Sequence, residues 1–326
     1  MNAPTRGPGP LSPHLDAALH AGDGALEALM GAEPVDRRDL VLSLLTVHDV
    51  HLAPIDRLGP KVRWQHHPAL AALKYRLETA YLADLEAADA ATHWDLPGDA
   101  VGAMRALSRV ELVPEIYRWV AEEADIDELV EFLALEGGPD AGFDDLVAVC
   151  QLGLAGEAKV ELARNYWDEM GNGSLDAVHR ELHDRLVTAL DVPAVPRAEQ
   201  PLEVLERAVL GPLLATNRRL QPEMVGALGL LELQAGPRCR KVVEGLRRLR
   251  APEEAFPFYV EHAVADPRHG KDWVDNVVAP LAAAPCWAEG IIRGARWRSL
   301  LNARFFDAMV RRFACVEVGR RRRKAS

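Results

Sequence analysis

The chain has 326 residues, 49% of them apolar, and a net charge of −11. That is enough apolar material for one large core or two ordinary ones, and the acidic excess excludes a nucleic-acid-binding body, whose phosphate contacts need a basic surface. Cys150, Cys239, Cys286 and Cys315 form no CxxC pair, which excludes a zinc knuckle or thioredoxin-like site and predicts reduced thiols. The opening MNAPTRGPGP lacks the apolar segment of a secretory signal. No stretch reaches the ~18 apolar residues of a membrane span, so the expected location is the cytoplasm, with no membrane partner.

Residues 1–36 mix Pro and Gly with one short amphipathic piece, LDAALHAGDGALEALMG, and read as a flexible or loosely docked lead-in. From Asp39 onward, apolar residues recur at helical spacing, Ala and Leu dominate, and alternating β-branched runs are missing, so the fold class is all-α. Helices are predicted over 37–52, 66–90, 98–109, 112–121, 125–136, 142–154, 157–170, 174–190, 201–215, 220–234, 236–249, 252–265, 270–283 and 286–316. The stop signals between them include Gly137-Gly138-Pro139, Gly171 with Gly173, and the Pro-rich DVPAVPR. The expected organisation is a helical bundle over 100–316, accessory helices over 37–99, and a basic disordered tail over 317–326, where RRRRK reads as a solvated terminus.

The chemistry-bearing residues stand out against this apolar background. His262, Asp266 and His269 lie at i, i+4 and i+7, which on a helix turning about 100° per residue places them on one stripe. Glu169 and His179 flank the broken helix end NYWDEMGNGSLDAVH, and Glu232 interrupts the apolar run VGALGLLELQAG. Burying a lone carboxylate costs several kcal/mol unless a cation or donor meets it; for Glu232 the bland alternative is an ion pair with Arg240 or Arg247. Glu169 sits at the negative end of its helix dipole, where a cation would relieve the mismatch. Asp266-Pro267 has its own rival reading, an N-cap followed by Pro at the first helical position. Against it stands one continuous helix kinked at Pro267, with the Ala263 carbonyl freed. Carboxylates with a few imidazoles projecting inward from facing helices suit an iron pair.

In two blocks the chain resembles the heme-oxygenase-like diiron oxidases and oxygenases, known as iron-containing redox enzymes. FYVEHAVADPRHGKDW, with His262-x3-Asp266-x2-His269, resembles the family's C-terminal ligand helix, and KVELARNYWDEMGNGSLDAVH resembles the helix carrying a bridging Glu, here Glu169, followed by a His ligand, here His179. Glu232, 30 residues before His262, matches a further carboxylate. Glu136 in EFLALEGG is the best match to the remaining one, with Asp145 and Glu161 as substitutes. The resemblance spans roughly 125–285 and implies a heme-oxygenase-like bundle with additional N-terminal helices. It implies about two Fe per chain, metal ligands Glu136, Glu169, His179, Glu232, His262, Asp266 and His269, and a labile metal. The implied activity is O2-dependent oxidation of a small organic substrate, by N-oxygenation or oxidative C–C cleavage. An external electron donor is implied as a partner, and a homodimer is left open. Asp168 is a candidate acceptor for an imidazole N–H. The rival functions are a metal-free helical enzyme of the thiaminase or cofactorless-oxidase type, a non-catalytic helical binding module, and a ferroxidase without organic substrate.

Overall fold

A computed structural model describes the backbone of residues 9–137 and 142–324 and the side chains of those up to Phe313. The Gly138-Pro139 part of one stop signal, the first eight residues of the lead-in and the side chains of Cys315 and RRRRK lie outside the described residues. In chain order the helices are α1 (Leu11–Ala21), α2 (Asp23–Ala28), α3 (Arg37–Leu52), α4 (Ile55–Leu58), α5 (Pro68–Ala91), α6 (Ala100–Leu107), α7 (Glu115–Glu122), α8 (Ile126–Glu136), α9 (Phe143–Cys150), α10 (Gly156–Glu169), α11 (His179–Ala189), α12 (Leu202–Ala215), α13 (Gln221–Leu249), α14 (Pro257–Asp272), α15 (Ala279–Leu281) and α16 (Pro285–Lys324). No strand occurs among the described residues, and none of their helices is long and apolar enough to cross a membrane.

The chain divides into two compact units, one within Met1–His93 and Arg197–Asn217, the other within Trp94–Pro196 and Arg218–Ser326. In the first, the expected flexible lead-in is ordered from α1 onward. Leu11, Leu15, Ala18 and Leu19 form a buried stripe at helical spacing, and Leu26 of α2 joins them. The Asp39 carboxylate, buried on α3, accepts the N–H groups of Leu11 (2.7 Å), Ser12 (2.8 Å) and Val35 (3.0 Å), which pins the start of α1 where helix N–H groups lack partners. The stretch 197–217, expected within the 100–316 bundle, belongs to this unit. Arg37 Nε donates to Glu206 (2.6 Å), the Tyr81 hydroxyl donates to the Glu206 carbonyl (2.9 Å), and Asn217 Nδ2 donates to Glu78 (2.9 Å).

The second unit is built around α13, against which α7, α14 and α16 pack. The break predicted between 234 and 236 is absent, and α13 is one helix of 29 residues with Pro237 inside it. The break predicted after 265 is absent too, because α14 runs on through Pro267 and continues into a π-helical stretch, Trp273–Val278. α16 likewise extends past the predicted helix end at 316, through Lys324; its closing Arg and Lys residues are good helix formers whose charge suits a helix C-terminus. Cys150 and Cys239 are buried, Cys286 is exposed, and all three are free thiols.

Asp39 provides a test of the first unit. Burial works to raise its pKa, but the backbone donors, Ser12 and Leu11 foremost, outweigh burial and hold it below the ordinary value of 3.8. A depressed folded value means the carboxylate stabilises the unit above pH 3.8 and the contribution is lost as pH falls through the folded value. Asp39→Ala is expected to cost about 1–3 kcal/mol, the range for orphaned buried donors, and to speed amide exchange across residues 11–21. Unchanged exchange there would refute the pinning role.

Candidate metal centre

α10 carries Glu161, Asn165 and Glu169 at four-residue intervals, all buried together with Ala158 and Leu162. Polar groups on a buried stripe need partners, and those of this helix come from three other helices. At its end the chain reverses sharply. Gly171 has φ 59° and a Cβ there would lie 2.4 Å from the Ala177 carbonyl carbon, so only glycine permits the turn. The short turns Gly171–Gly173 and Leu175–Ala177 then deliver His179 as the first residue of α11. Its Nδ1 lies 2.7 Å from Glu169 Oε2 but off the hydrogen-bonding axis, so that the nitrogen is buried without an aligned partner.

α13 and α14 meet closely at Gly270, where a Cβ would lie 2.8 Å from Leu233 Cα and 3.0 Å from the Glu232 carbonyl oxygen. That approach brings His269 Nδ1 to 3.7 Å from Glu232 Oε2. Glu232 Oε1 accepts from Asn165 Nδ2 at 2.7 Å; neither Arg240 nor Arg247 is its hydrogen-bonding partner. Arg240 instead donates to the Ala263 carbonyl (3.0 Å), the group left without its helical donor by Pro267. α14 is therefore one helix, the N-cap reading of Asp266 falls, and His262, Asp266 and His269 share a face.

Two of the imidazoles are committed by their neighbours. His262 Nδ1–H donates to the Phe258 carbonyl oxygen at 2.7 Å, which leaves Nε2 as a lone pair. His269 Nε2 lies 2.9 Å from Asp168 Oδ2 and 3.2 Å from Arg268. Burial works to raise the Asp168 pKa, but hydrogen bonds from His269 and Asn172 hold it below the ordinary value. Asp168 is thus an ionised acceptor, Nε2 carries the proton, and Nδ1 is a second lone pair without a hydrogen-bond partner. Ligand atoms of Glu169, His179 and His262 lie within 4.8 Å of one another, and so do those of Glu169, Glu232 and His269. Glu169 belongs to both groups.

Asp266 is 2% exposed and its Oδ2 has no partner. Burial first, then the charges of Glu232 and Glu169, push its carboxyl far above the usual range. Glu232 is raised by burial and by Glu169, with His269 opposing. Burial and His179 lower His262 to about 4; for His179, burial acts downward, but Glu169 outweighs it and the pKa is raised. Orphaned nitrogens and acids forced toward neutrality fit hard, cationic occupants with mixed oxygen and nitrogen ligation, as iron prefers.

Glu136 stands outside both groups. Its oxygens accept from the hydroxyls of Tyr117 (2.7 Å) and Tyr259 (3.2 Å). Of the substitutes, Asp145 is exposed, and Glu161 accepts from Asn276 (2.9 Å) of the π-helical stretch and from Arg164 (3.2 Å). Asn165 is a contact that sequence reasoning missed. A cleft of about 570 Å³ adjoins the cluster, lined by His179, Asp168, Glu261, Arg185, Leu182 and Val260 among others.

In the metal-free protein these shifts make stability depend on pH with a definite sign. The acids Glu232 and Asp266, and His179, have folded values raised above their ordinary values of 4.5, 3.8 and 6.5, so each stabilises the fold below that value and loses the contribution as pH rises through its folded one. His262 acts oppositely, its contribution being present above 6.5 and lost as pH falls toward about 4. Above pH 6.5 only the first group acts. The thermal midpoint of metal-free protein is expected to fall as pH rises from there, and Glu232→Gln to flatten the slope. A midpoint that rises over that range would contradict the burial argument.

No curated protein matches the chain. The family profile described as iron-containing redox enzyme matches residues 130–303, more than half of the chain and all the residues gathered at the cluster. With its all-α, heme-oxygenase-like fold, the chain belongs to the iron-containing redox enzyme family and is an iron-dependent oxidoreductase.

Proposed function

We propose that the protein activates O2 at a non-heme pair of irons and oxidises a small organic substrate. Glu169, His179 and His262 hold one ion, Glu232, His269 and Asp266 the other, and Glu169 is shared between them. The observation that carries this reading is the commitment of two imidazoles, His262 through the Phe258 carbonyl and His269 through Asp168, which leaves their free nitrogens beside the buried carboxylates of Glu169 and Glu232. A structural ion-pair network would leave the N–H protons, not the lone pairs, facing the acids.

When bound, the iron pair supplies the redox equivalents and the position at which dioxygen is reduced. The chain supplies the rest. Glu169 offers a carboxylate to both half-sites, Asp168 fixes the His269 tautomer, and the cleft beside His179 accommodates the substrate against Leu182 and Val260. N-oxygenation and oxidative C–C cleavage are the outcomes this centre suits, with an external electron donor restoring the reduced state.

Anaerobic titration with Fe(II), followed by metal analysis after desalting, tests the assignment. Wild-type protein is expected to retain about two irons per chain, as two-metal sites do. Glu169→Ala should retain neither tightly and His262→Ala about one, since removing a ligand weakens both ions in the first case and one in the second. Glu136→Gln is expected to keep the wild-type stoichiometry because its oxygens are engaged by phenols. Normal iron retention by Glu169→Ala would end the reading.

A further inference from the structure

Asn165 lies one turn before Glu169 on α10, is 4% exposed, and donates through Nδ2 to Glu232 Oε1 at 2.7 Å. Its own Oδ1 is buried and has no partner. We infer that Asn165 is a positioning residue that restricts Glu232 to a single ligating oxygen, keeping one coordination position of its half-site open. The inference rests on the metal reading above and concerns what that reading leaves undetermined, the denticity of Glu232.

A carboxylate chelates an ion only when both oxygens turn toward it. In Glu232 the two oxygens have different environments. Oε1 faces an amide N–H on α10, and Oε2 is the oxygen 3.7 Å from the unprotonated Nδ1 of His269. Turning Oε1 inward would break a hydrogen bond to a charged acceptor in a water-poor interior, where nothing else replaces it, and such bonds are the strong ones. Asn165 therefore dedicates Oε1 to α10 and Oε2 to the centre. A one-oxygen ligand occupies one position where a chelating one would occupy two. The amide also explains its own orphan, since Oδ1 is a buried acceptor that a hydrogen-bearing group at the centre would satisfy.

Co(II) substitution reads coordination number directly through the intensity of its visible ligand-field bands. Wild-type protein and the variants Asn165→Leu, close in shape but without the donor, and Asn165→Ala are titrated with Co(II) without oxygen, and helicity is checked by circular dichroism. Both variants are expected to bind as many cobalt ions as wild type. The band intensity of the ion beside Glu232 should fall by about half, as Oε1 becomes a ligand and that ion gains a neighbour. A merely structural asparagine would leave the band shape and intensity unchanged. If wild type takes up two equivalents and the variant spectra superpose on it, this inference is overturned alone. Wild-type protein that takes up no cobalt overturns the metal reading, and this with it. Variants that both lose wild-type helicity would make Asn165 a folding residue and overturn it as well.

Discussion

Three carboxyl groups, those of Glu169, Glu232 and Asp266, are buried together with the imidazoles of His179 and His269 where little water reaches them. Charged acids in such a place repel one another and lose their hydration, at a cost of several kcal/mol each. The second unit is arranged around that constraint. Without a cation Glu232 and Asp266 are driven toward their neutral forms, and His262 is kept from taking up the proton that would compensate them. Iron bound there would relieve the conflict, because the carboxylates would gain a counter-charge and the orphaned nitrogens an acceptor for their lone pairs.

The backbone features that look like defects serve the same constraint. Gly171 and the left-handed Asn172, φ 51°, let the chain double back so that α11 opens on His179 beside Glu169. Gly270 lets α14 touch the backbone of α13 at Glu232. Pro267 removes one helical hydrogen bond, and Arg240 takes up the carbonyl it frees, so the helix survives and its three ligand-type residues stay in line. The π-helical stretch just beyond places Asn276 on Glu161, which removes that carboxylate from the contest for the centre. Such stretches cluster at functional sites because they shift the register of side chains without ending the helix.

Much of this was legible from residue patterns. The range 37–52 coincides with α3, and the i, i+4, i+7 stripe of α14 is where spacing put it. The errors share a cause. The break after 265 followed from proline being unfavourable inside an isolated helix, yet a tertiary partner, Arg240, takes up the carbonyl that Pro267 frees, and no local window contains it. The lead-in read as flexible for a similar reason. Its six-residue α2 is too short to hold a helix alone, and the Asp39 carboxylate that anchors α1 lies 28 residues away. Asn165 was invisible because a lone amide carries no charge signal; only its place on the 158–161–162–165–169 stripe could have raised it.

Glu136 marks the boundary between what spacing suggests and what neighbours decide. It sits at the end of α8 with both oxygens engaged by phenols, and Tyr259 belongs to the same helix as His262, one turn earlier. Hydrogen bonds to a charged group contribute roughly 1.5–3 kcal/mol each, so drawing Glu136 onto a metal would have to offset two of them. Tyr259 is itself buried, and burial with the neighbouring Glu136 charge pushes its pKa well above the ordinary phenol value. It therefore stays a donor and cannot exchange roles with the carboxylate. The phenols thus tie α7, α8 and α14 together and hold Glu136 apart from the buried carboxylates of α10, α13 and α14.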